Sequence, residues 1–421
     1  MTVADKIQAE ARERAYAMPL ADINVTDPDL WRSDTVLHSF ERLRKEDPVH
    51  YHPEGQYQAG PFWSVTSFND IIAVDSNHKT FSSEPIIVLD DPMADFDLPM
   101  FIAMDPPKHD AQRKTVSPIV MPSKLAEWEP LIRSRIQNTL DNLPIGEPFD
   151  WVDRVSIELT GQMLATLFDF PFEDRRKLTY WSDMTTADPD SGLYKTDDPD
   201  TEFKTAMMEC AMSFTGLWNE RVNAEPKGDL ISMMAHGEAT RNMQPMEFLG
   251  NLILLIVGGN DTTRNTMSSS VLELSKNPDE RKKLYDNPAL IPSMVSETIR
   301  WQTPLAYMRR TATTDVDFQG KKIKKGDKVA MWYLSGNRDG SVIEDPNTYR
   351  IDRKNPRHHL SFGFGIHRCV GNRLAELQLK ILWEEIMARF PEITVVGDVK
   401  RSGSCFARGI TQMQTVIPRR F

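Results

Sequence analysis

The sequence predicts a mainly α protein with a minor β component, and three observations lead to this fold class. Helical periodicity occupies most of the chain between about 67 and 302, and it returns after 371. Strand-like alternation is limited to short segments bounded by glycine and proline, within 49–65 and 309–333. The 421 residues can bury a large core, and three cysteines are too few for a disulfide framework.

The N-terminal half is predicted to begin with one hairpin and to continue as helices. The hairpin covers 49–65, with Tyr57 among its apolar residues and Gly55 among its turn formers. A short helix over 67–76 precedes 82–107, where apolar residues without a period predict a loop that covers something. Helices follow from Pro106-Pro107 onward, at about 124–142, 151–168, 173–186 and 201–224, with an acidic solvated loop over 188–200.

The longest helical pattern, 246–275, contains a conflict at its centre. Gly258 and Gly259 each cost about 1 kcal/mol relative to alanine in a helix interior. Four polar residues that can bond back to the backbone come next, Asn260, Asp261, Thr262 and Thr263. The cluster predicts a break in the helix, which is either a harmless kink or an opening that admits a small molecule.

The C-terminal half mixes helices with the predicted strands. A helix over 293–302 places Glu297 and Arg300 three residues apart, so that they can pair on one face. Short strands are predicted at 309–313, 316–318, 321–324 and 328–333. The last helix ends before Pro391 and offers Glu376 and Lys380 as an i,i+4 pair.

His109 and Arg113 are four residues apart on one predicted helix face. The pair either binds an anion or is exposed to solvent on the helix surface, and the spacing alone leaves both interpretations open.

Charge and hydropathy exclude several classes of partner. The chain has 61 acidic and 50 basic residues, and a net charge of −11 opposes binding to nucleic acid or to an anionic membrane surface. Residues 1–20 lack an apolar signal region, and the apolar run 252–257 is far shorter than the ~20 residues that span a bilayer. We therefore expect a cytoplasmic protein with no membrane span and no nucleic-acid partner.

The stretch 362–371 predicts a loop that presents one sulfur. Gly363, Gly365 and Gly371 permit a tight backbone path around a flat group. Cys369 precedes a strongly helical run, and a helix N-terminus lowers the pKa of a thiol and stabilises a thiolate. Such a thiolate is either a nucleophile or a metal ligand.

Three chemistries use a cysteine presented in this way. A nucleophile would use His367 as its base, but it needs neither the glycines nor Phe362. A zinc site drawn from His358, His359, His367 and Cys369 lacks the usual paired spacing of ligands. An axial thiolate on a haem iron requires one cysteine and is consistent with the pattern.

Together, four motifs resemble the cytochrome P450 haem-thiolate monooxygenases over nearly the whole chain. They are the Cys loop 362–371, Glu297-x-x-Arg300, the cluster 258–262 and His109-x-x-x-Arg113. The resemblance implies one domain over 1–421 with the family's fold, a helical prism with small β-sheets. It also implies a haem b cofactor whose iron has Cys369 as its axial thiolate ligand.

The resemblance assigns roles to further residues. Haem contacts are implied for His109, Arg113, Gly258, Arg310, Phe362, Gly363, His367 and Gly371. Glu297 and Arg300 are implied to be structural, joined by either Arg350 or Arg353. Asp261 and Thr262 are implied to be the catalytic pair that delivers protons.

The implied reaction inserts one atom of O2 into an unactivated C–H bond. The residue sequences of 255–266 and 359–371 resemble those of the bacterial branch that hydroxylates terminal methyl groups of medium-chain alkanes and fatty acids. The pocket implied for this substrate contains Ile86, Val88, Leu98, Met100, Gly258, Leu305, Met308 and Phe406. Alternatives are a P450 hydroxylase of a terpenoid, a steroid or another bulkier apolar substrate, and a non-enzymatic haem sensor or carrier. Asp261 and Thr262 argue against a peroxide-driven oxygenase, because such relatives tend to lack them.

The implied electron donors are a separate ferredoxin and an NAD(P)H-dependent ferredoxin reductase. Arg368, Arg373 and Lys380 lie near the cysteine and are interpreted as a basic docking patch, with a solvated helix face as the alternative.

Overall fold

The computed structural model describes residues 3–53, 60–187 and 191–421. It confirms the predicted fold class, since helices dominate and the strands are short. A π-helical segment, Val152–Ile157, leads directly into one of the helices. The helices are α1 (Val3–Ala17), α2 (Pro28–Arg32), α3 (Val36–Glu46), α4 (Phe68–Ser76), α5 (Lys108–Val116), α6 (Pro122–Asp141), α7 (Glu158–Phe168), α8 (Arg175–Thr186), α9 (Pro199–Val222), α10 (Leu230–His236), α11 (Pro245–Lys276), α12 (Pro278–Asp286), α13 (Ile291–Gln302), α14 (Tyr333–Gly336) and α15 (Asn372–Arg389).

The strands form small sheets at the sides of the helical core. They are β1 (Val49–His52), β2 (Phe62–Val65), β3 (Phe81–Ser82), β4 (Phe149–Asp150), β5 (Met308–Ala312), β6 (Val316–Phe318), β7 (Lys321–Ile323), β8 (Lys328–Met331), β9 (Thr394–Val395), β10 (Lys400–Arg401), β11 (Ile410–Gln412) and β12 (Gln414–Val416). The largest sheet has the order β1-β2-β8-β5-β3, with β2 and β8 parallel and its other pairs antiparallel. The remaining sheets are β4-β12-β9, β6-β7 and β10-β11.

The predicted hairpin is confirmed, because β1 pairs antiparallel with β2 and places Val49 opposite Val65. Gly55 and Tyr57 lie outside the described residues, as do positions 188–190 of the acidic run. Helices α1–α3, α10 and α12 were not predicted. In α1 the reason is clear, since Ala11 and Ala15 are its buried hydrophobic side chains and give almost no apolar periodicity.

Helix α11 passes through the centre of the fold and packs against α7, α8 and α13. Its buried polar side chains are satisfied by neighbouring elements. Asn260 accepts from Thr160 at 3.0 Å, and Trp383 of α15 donates to Ser270 at 2.8 Å. These hydrogen bonds allow a helix with many polar residues to cross an apolar core.

The predicted break in this helix is wrong, since α11 is continuous through Gly258 and Gly259. The polar residues that follow bond within the helix instead. Thr262 Oγ1 donates to the carbonyl of Gly258 at 2.9 Å, and Asn265 Nδ2 donates to the carbonyl of Asp261 at 2.8 Å.

Glu297 and Arg300 form a buried ion pair in α13, with nitrogen–oxygen distances of 2.7 and 2.8 Å. Arg353 completes the cluster, because its Nε donates to Glu297 Oε2 at 2.8 Å. Arg350 supplies a backbone N–H to the same carboxylate, also at 2.8 Å, while its guanidinium pairs with Glu344 near the surface.

The predicted pair between Glu376 and Lys380 is wrong. Glu376 turns toward the loop before the Cys loop and pairs with Arg357 at 2.9 Å, and Lys380 lies 3.5 Å from Glu384. Other partners within reach decide such surface pairs, because each i,i+4 pair is worth only a few tenths of a kcal/mol.

Candidate active site

A cavity of about 460 Å³ lies between α11, the Cys loop and the segment 85–103. Its wall contains every residue predicted for the substrate pocket, which are Ile86, Val88, Leu98, Met100, Gly258, Leu305, Met308 and Phe406. It also contains most of the predicted cofactor and catalytic positions, which are Arg113, Thr262, Arg310, Phe362, Gly363, His367, Cys369 and Gly371. His109 and Asp261 lie behind this wall.

The Cys loop is shaped by two backbone hydrogen bonds and two glycines. Cys369 N–H donates to the carbonyl of Phe362, and Gly363 N–H donates to that of Leu360, both at 2.8 Å. Gly363 and Gly365 have φ of +67° and +64°, a region that favours glycine. A Cβ on Gly365 would lie 2.6 Å from the backbone oxygen of Asp75, so no side chain fits there.

Asp75 is a buried carboxylate that fastens the Cys loop to α4. It accepts from Phe364 N–H at 2.8 Å, from Tyr333 Oη at 2.9 Å and from Arg310 Nη2 at 2.7 Å. The predicted haem contact Arg310 is therefore already held by a carboxylate. Sequence reasoning missed Asp75, whose one local signal is an acid at a buried position of an apolar helix.

The thiol of Cys369 is exposed to the cavity and surrounded by protein. Burial raises the pKa of Cys369, while the backbone N–H groups of Gly371 and Asn372 act in the opposite direction, together with the charges of Arg113 and Arg368. The predicted stabilisation of a thiolate by a helix N-terminus is thus present, but burial outweighs it for the free thiol.

The rings of His109 and His367 pack against each other at a tilt of 57°, with their centroids 4.2 Å apart, and His367 belongs to the cavity wall. His109 Nδ1 lies 2.7 Å from Asp110, and His367 Nε2 lies 2.8 Å from Ser83 Oγ. Burial lowers the pKa of both rings, that of His367 to about 2. The other ring nitrogens, His109 Nε2 and His367 Nδ1, are buried and find no hydrogen-bond partner in the described ranges.

The two glycines of α11 face different neighbours. A Cβ on Gly258 would meet nothing within 4 Å, because this position faces the cavity. A Cβ on Gly259 would lie 2.7 Å from Leu164 Cδ2, because this position packs against α7. Gly258 therefore leaves open space beside Thr262, and Gly259 permits close helix packing.

Asp261 points away from the cavity toward α8. Its Oδ2 accepts from Ser182 at 2.8 Å and from Thr186 at 3.3 Å, and its Oδ1 pairs with Arg264. Thr186 itself lines the cavity. One hydroxyl thus connects the buried carboxylate with the cavity wall.

Arg264 binds a second carboxylate, Asp183 Oδ1, at 2.8 Å. The Asp183 side chain is 31% exposed, whereas that of Asp261 is 2% exposed, so the arginine joins a solvent-facing acid to a buried one. Burial and the charge of Asp261 raise the pKa of Asp183 to about 6. Sequence reasoning missed Asp183 because nothing local distinguishes it from other acids on α8.

The zinc interpretation has no ligand set in the structure. The ring of His358 packs on Phe68 at 5.0 Å, and that of His359 packs on Phe362 at 5.5 Å. Across 3–53, 60–187 and 191–421, no three His, Cys, Asp or Glu side chains come together as a metal cluster.

Comparisons with known proteins agree with these features. The family model for cytochrome P450 matches residues 219–402. Linalool 8-monooxygenase of Pseudomonas putida is 32% identical, over 94% of this chain and 98% of that protein. The chain belongs to the cytochrome P450 family. Its predicted fold and monooxygenase activity are confirmed.

Two further relatives of this P450 are informative. Methyl-branched lipid omega-hydroxylase of Mycobacterium tuberculosis is 31% identical, over 93% of this chain and 94% of that protein. The solved structure of cytochrome P450-153 from Novosphingobium aromaticivorans is 46% identical, with a TM-score of 0.86 over 94% of this chain and 99% of that chain.

The cofactor of a cytochrome P450 is haem, with an iron held by a cysteine thiolate. The residues present fit this group. One cysteine faces the cavity, and Gly371 and Gly258 leave space in which a Cβ would meet nothing within 4 Å. The unpaired Nδ1 of His367 is suited to an anionic acceptor such as a haem propionate, because Ser83 can donate to the other ring nitrogen. The unpaired Nε2 of His109 is suited to one in the protonated ring, because Nδ1 already donates to Asp110.

Redox partners and a hydrophobic substrate belong to this family as well. Of the helices assigned in the described parts of the chain, none has both the length and the apolar character to cross a membrane.

Proposed function

We propose that this P450 hydroxylates terminal methyl groups of medium-chain alkanes or fatty acids. The observation that carries the proposal is the cavity wall, which brings apolar side chains from 86–100, 305–308 and 406 to the cavity that Cys369 also lines. Such a wall suits a flexible hydrocarbon chain. The similarity to a lipid omega-hydroxylase supports attack at a chain end.

Cys369 is the residue proposed to ligate the iron, and its backbone is held by Phe362. When bound, the haem supplies the activation of O2, which a thiolate ligand favours. His367 Nδ1 is proposed to donate to a propionate, because the Ser83 hydroxyl can donate to its Nε2. His109 Nδ1 already donates to Asp110, so its Nε2 is proposed to donate only in the protonated ring, which a neighbouring propionate would favour. Arg113 and Arg310 lie in the same cavity wall.

Proton delivery is proposed to run from Asp183 to Asp261 and then to the cavity. Arg264 keeps the two carboxylates together, and Asp261 Oδ2 reaches the cavity wall through the Thr186 hydroxyl. The Thr262 hydroxyl lines the cavity and presents the last donor, once its hydrogen bond to the Gly258 carbonyl is exchanged. This is general acid chemistry at hydrogen-bond distance.

Electrons are proposed to come from a ferredoxin and its NAD(P)H-dependent reductase. Arg368 and Arg373 are exposed near the Cys loop, whereas Lys380 is engaged by Glu384. We expect Arg373→Glu to weaken ferredoxin binding by about tenfold, more so at low salt, because rim charges steer association. Arg14→Glu, an equally exposed arginine on α1, is the control.

The proposed reaction is tested by product analysis. The haem protein is supplied with ferredoxin, reductase and NAD(P)H, and with octane, decane, decanoic acid and linalool in parallel. Primary alcohols or omega-hydroxy acids are the expected products. Mainly subterminal alcohols would contradict terminal attack, and turnover of linalool alone would favour the terpenoid alternative that the relative at 32% identity supports.

A further inference from the structure

The segment 85–100, named the roof segment here, begins near the Cys loop, two residues after Ser83, whose Oγ lies 2.8 Å from His367 Nε2, and it follows the cavity wall as far as Gly250. It attaches to β5 through Arg309 N–H and the carbonyl of Ile87 at 2.8 Å, and to α9 through Phe96 and Phe203 with ring centroids 6.0 Å apart. Its end packs on Gly250, where any Cβ would collide with the backbone of Pro99. The Cys loop instead contacts α4 and leads into α15.

Helix α11 gives a scale for the distance between these two walls. Gly250, under the roof segment, precedes Gly258 by eight positions in this continuous helix. At 1.5 Å per residue the two glycines are separated by about 12 Å along the helix axis. A chain with one end beside Gly258 and Thr262 therefore has room to place its other end under the roof segment.

The roof segment contributes only negative charge to the cavity wall. Asp90, Asp91 and Asp97 all line it. Asp91 is paired, with Lys328 Nζ at 2.9 Å and with Arg309 Nη1 at 3.2 Å.

Asp90 and Asp97 have no such partner. Neither carboxylate makes a hydrogen bond or an ion pair with the described residues, although charges near Asp90 act on it. Burial raises the pKa of Asp90, which means that its ionised form is poorly solvated at this position.

The basic side chains of the cavity wall lie around the Cys loop. In the part of the chain that the structure describes, they are Arg113, Arg310 and His367. Arg113 donates to the carbonyl of Arg368, and Arg310 is paired with Asp75 at 2.7 Å. These groups surround the Cys loop. Beside the roof segment the structure places Lys328 and Arg309, and both are paired with Asp91. Among the described residues, a negative charge under the roof segment therefore meets the carboxylates of Asp90 and Asp97.

We propose that the cavity selects hydrocarbon chains whose far end is uncharged, such as alkanes, alcohols or esters, and that the roof carboxylates Asp90 and Asp97 reject ionised fatty acids. This inference rests on the proposed attack at the chain end nearest Cys369. Two carboxylates repel each other in a site with restricted hydration, which weakens binding of an ionised chain end. A neutral chain end meets no such repulsion from the same wall.

The test compares methyl decanoate with decanoate, since the two differ mainly in the charge at one end. Dissociation constants are measured by calorimetry on the haem-loaded ferric protein at about pH 8, where a free carboxylic acid is ionised. We expect decanoate to bind at least about tenfold more weakly than the ester, a difference of about 1.4 kcal/mol.

The variants separate the roof carboxylates from general charge effects. Asp90→Asn with Asp97→Asn should bring the dissociation constant of decanoate to within about threefold of that of the ester in the same variant, and Asp97→Lys should make decanoate bind more tightly than the ester. Asp95→Asn is the matched control, because Asp95 belongs to the same segment, is absent from the cavity wall and is paired with Lys204 at 2.7 Å.

Equal affinity of the wild type for decanoate and its ester would overturn the inference, as would an equal gain from Asp95→Asn. A parallel product analysis with decane distinguishes failure of this inference about the roof carboxylates from failure of the proposed terminal hydroxylation. Subterminal decanols would remove the terminal-attack proposal, whereas primary decanol together with tight decanoate binding would remove only the role of the roof carboxylates.

Discussion

The guanidinium of Arg264 lies 2.8 Å from the carboxylate of Asp183, and its other amino group binds the buried Asp261. An acid of α11 is thereby tied to an acid of α8 that is partly open to solvent. This arrangement underlies the proposed proton route from Asp183 to Asp261.

Asp183→Asn tests this route through its pH dependence. Because the pKa of Asp183 is raised from 3.8 to about 6, its proton is available below pH 6 and is lost as the pH rises through that value. We expect the product formed per NAD(P)H in the wild type to fall across this range, and the inflection to be absent in Asp183→Asn. Measuring product and hydrogen peroxide from about pH 5 to 8 checks this.

Stability gives a readout of Asp183 that is independent of turnover. A carboxyl whose pKa is raised on folding stabilises the native state below its unfolded pKa, and this contribution is lost as the pH rises through the folded pKa. The wild type should therefore lose stability relative to Asp183→Asn between about pH 4 and 6 in urea unfolding. Parallel curves for the two proteins would show that Asp183 does not titrate as described.

Thr262→Ala should bind haem normally but divert reducing equivalents into hydrogen peroxide. The change removes a hydroxyl from the cavity wall and leaves the helix intact, since alanine is the best helix former. We expect product per NAD(P)H to drop by about tenfold or more, in the range that general acid catalysis contributes. Thr262→Ser restores a hydroxyl and should recover most of the coupling; an unchanged ratio in Thr262→Ala would remove the proposed proton role.

Cys369→Ser should abolish the red-shifted Soret band that the ferrous carbon monoxide complex of a thiolate-ligated haem shows. Cys405→Ser is the control, because Cys405 is a half-buried thiol whose pKa burial raises to about 12 and whose neighbours are Tyr307 and Asp90. Retention of the band in Cys369→Ser would transfer the ligand role to another residue.

Arg353→Ala and Arg350→Ala should differ sharply in stability. Arg353 holds the fully buried Glu297, and loss of one partner from a buried ion pair costs about 3–5 kcal/mol. The Arg350 side chain pairs with the exposed Glu344, which is worth about 0–1 kcal/mol. Urea unfolding of the two variants measures the difference, and equal destabilisation would contradict the assignment of Arg353.

Gly258→Ala should affect mainly ligand binding, whereas Gly259→Ala should affect mainly the stability of the fold. Gly258→Ala is expected to stabilise the helix by about 1 kcal/mol and to weaken binding of bulky ligands, because the new Cβ enters the cavity. Gly259→Ala is expected to destabilise the fold by about 1–3 kcal/mol, because Leu164 must move. Thermal unfolding and ligand titration together check both outcomes.

Much of the site could be predicted because its signals are local in the sequence. The loop around Cys369 requires glycines at fixed positions relative to the cysteine. This spacing can be read directly from the sequence, without knowledge of the rest of the fold. The same holds for Glu297 and Arg300, whose separation of three positions places them on one helix face. The resemblance built on these motifs also placed the pocket residues, all of which line the cavity.

The amino-acid sequence by itself thus determined the helical class, the cysteine loop and the family. Only the tertiary structure decided that Arg353 rather than Arg350 holds Glu297, that Gly258 faces the cavity while Gly259 faces α7, and that Asp75 and Asp183 belong to the site. These features depend on contacts between residues far apart in the chain. Such contacts depend on how helices and strands pack against each other, so the spacing of residues within one segment does not predict them.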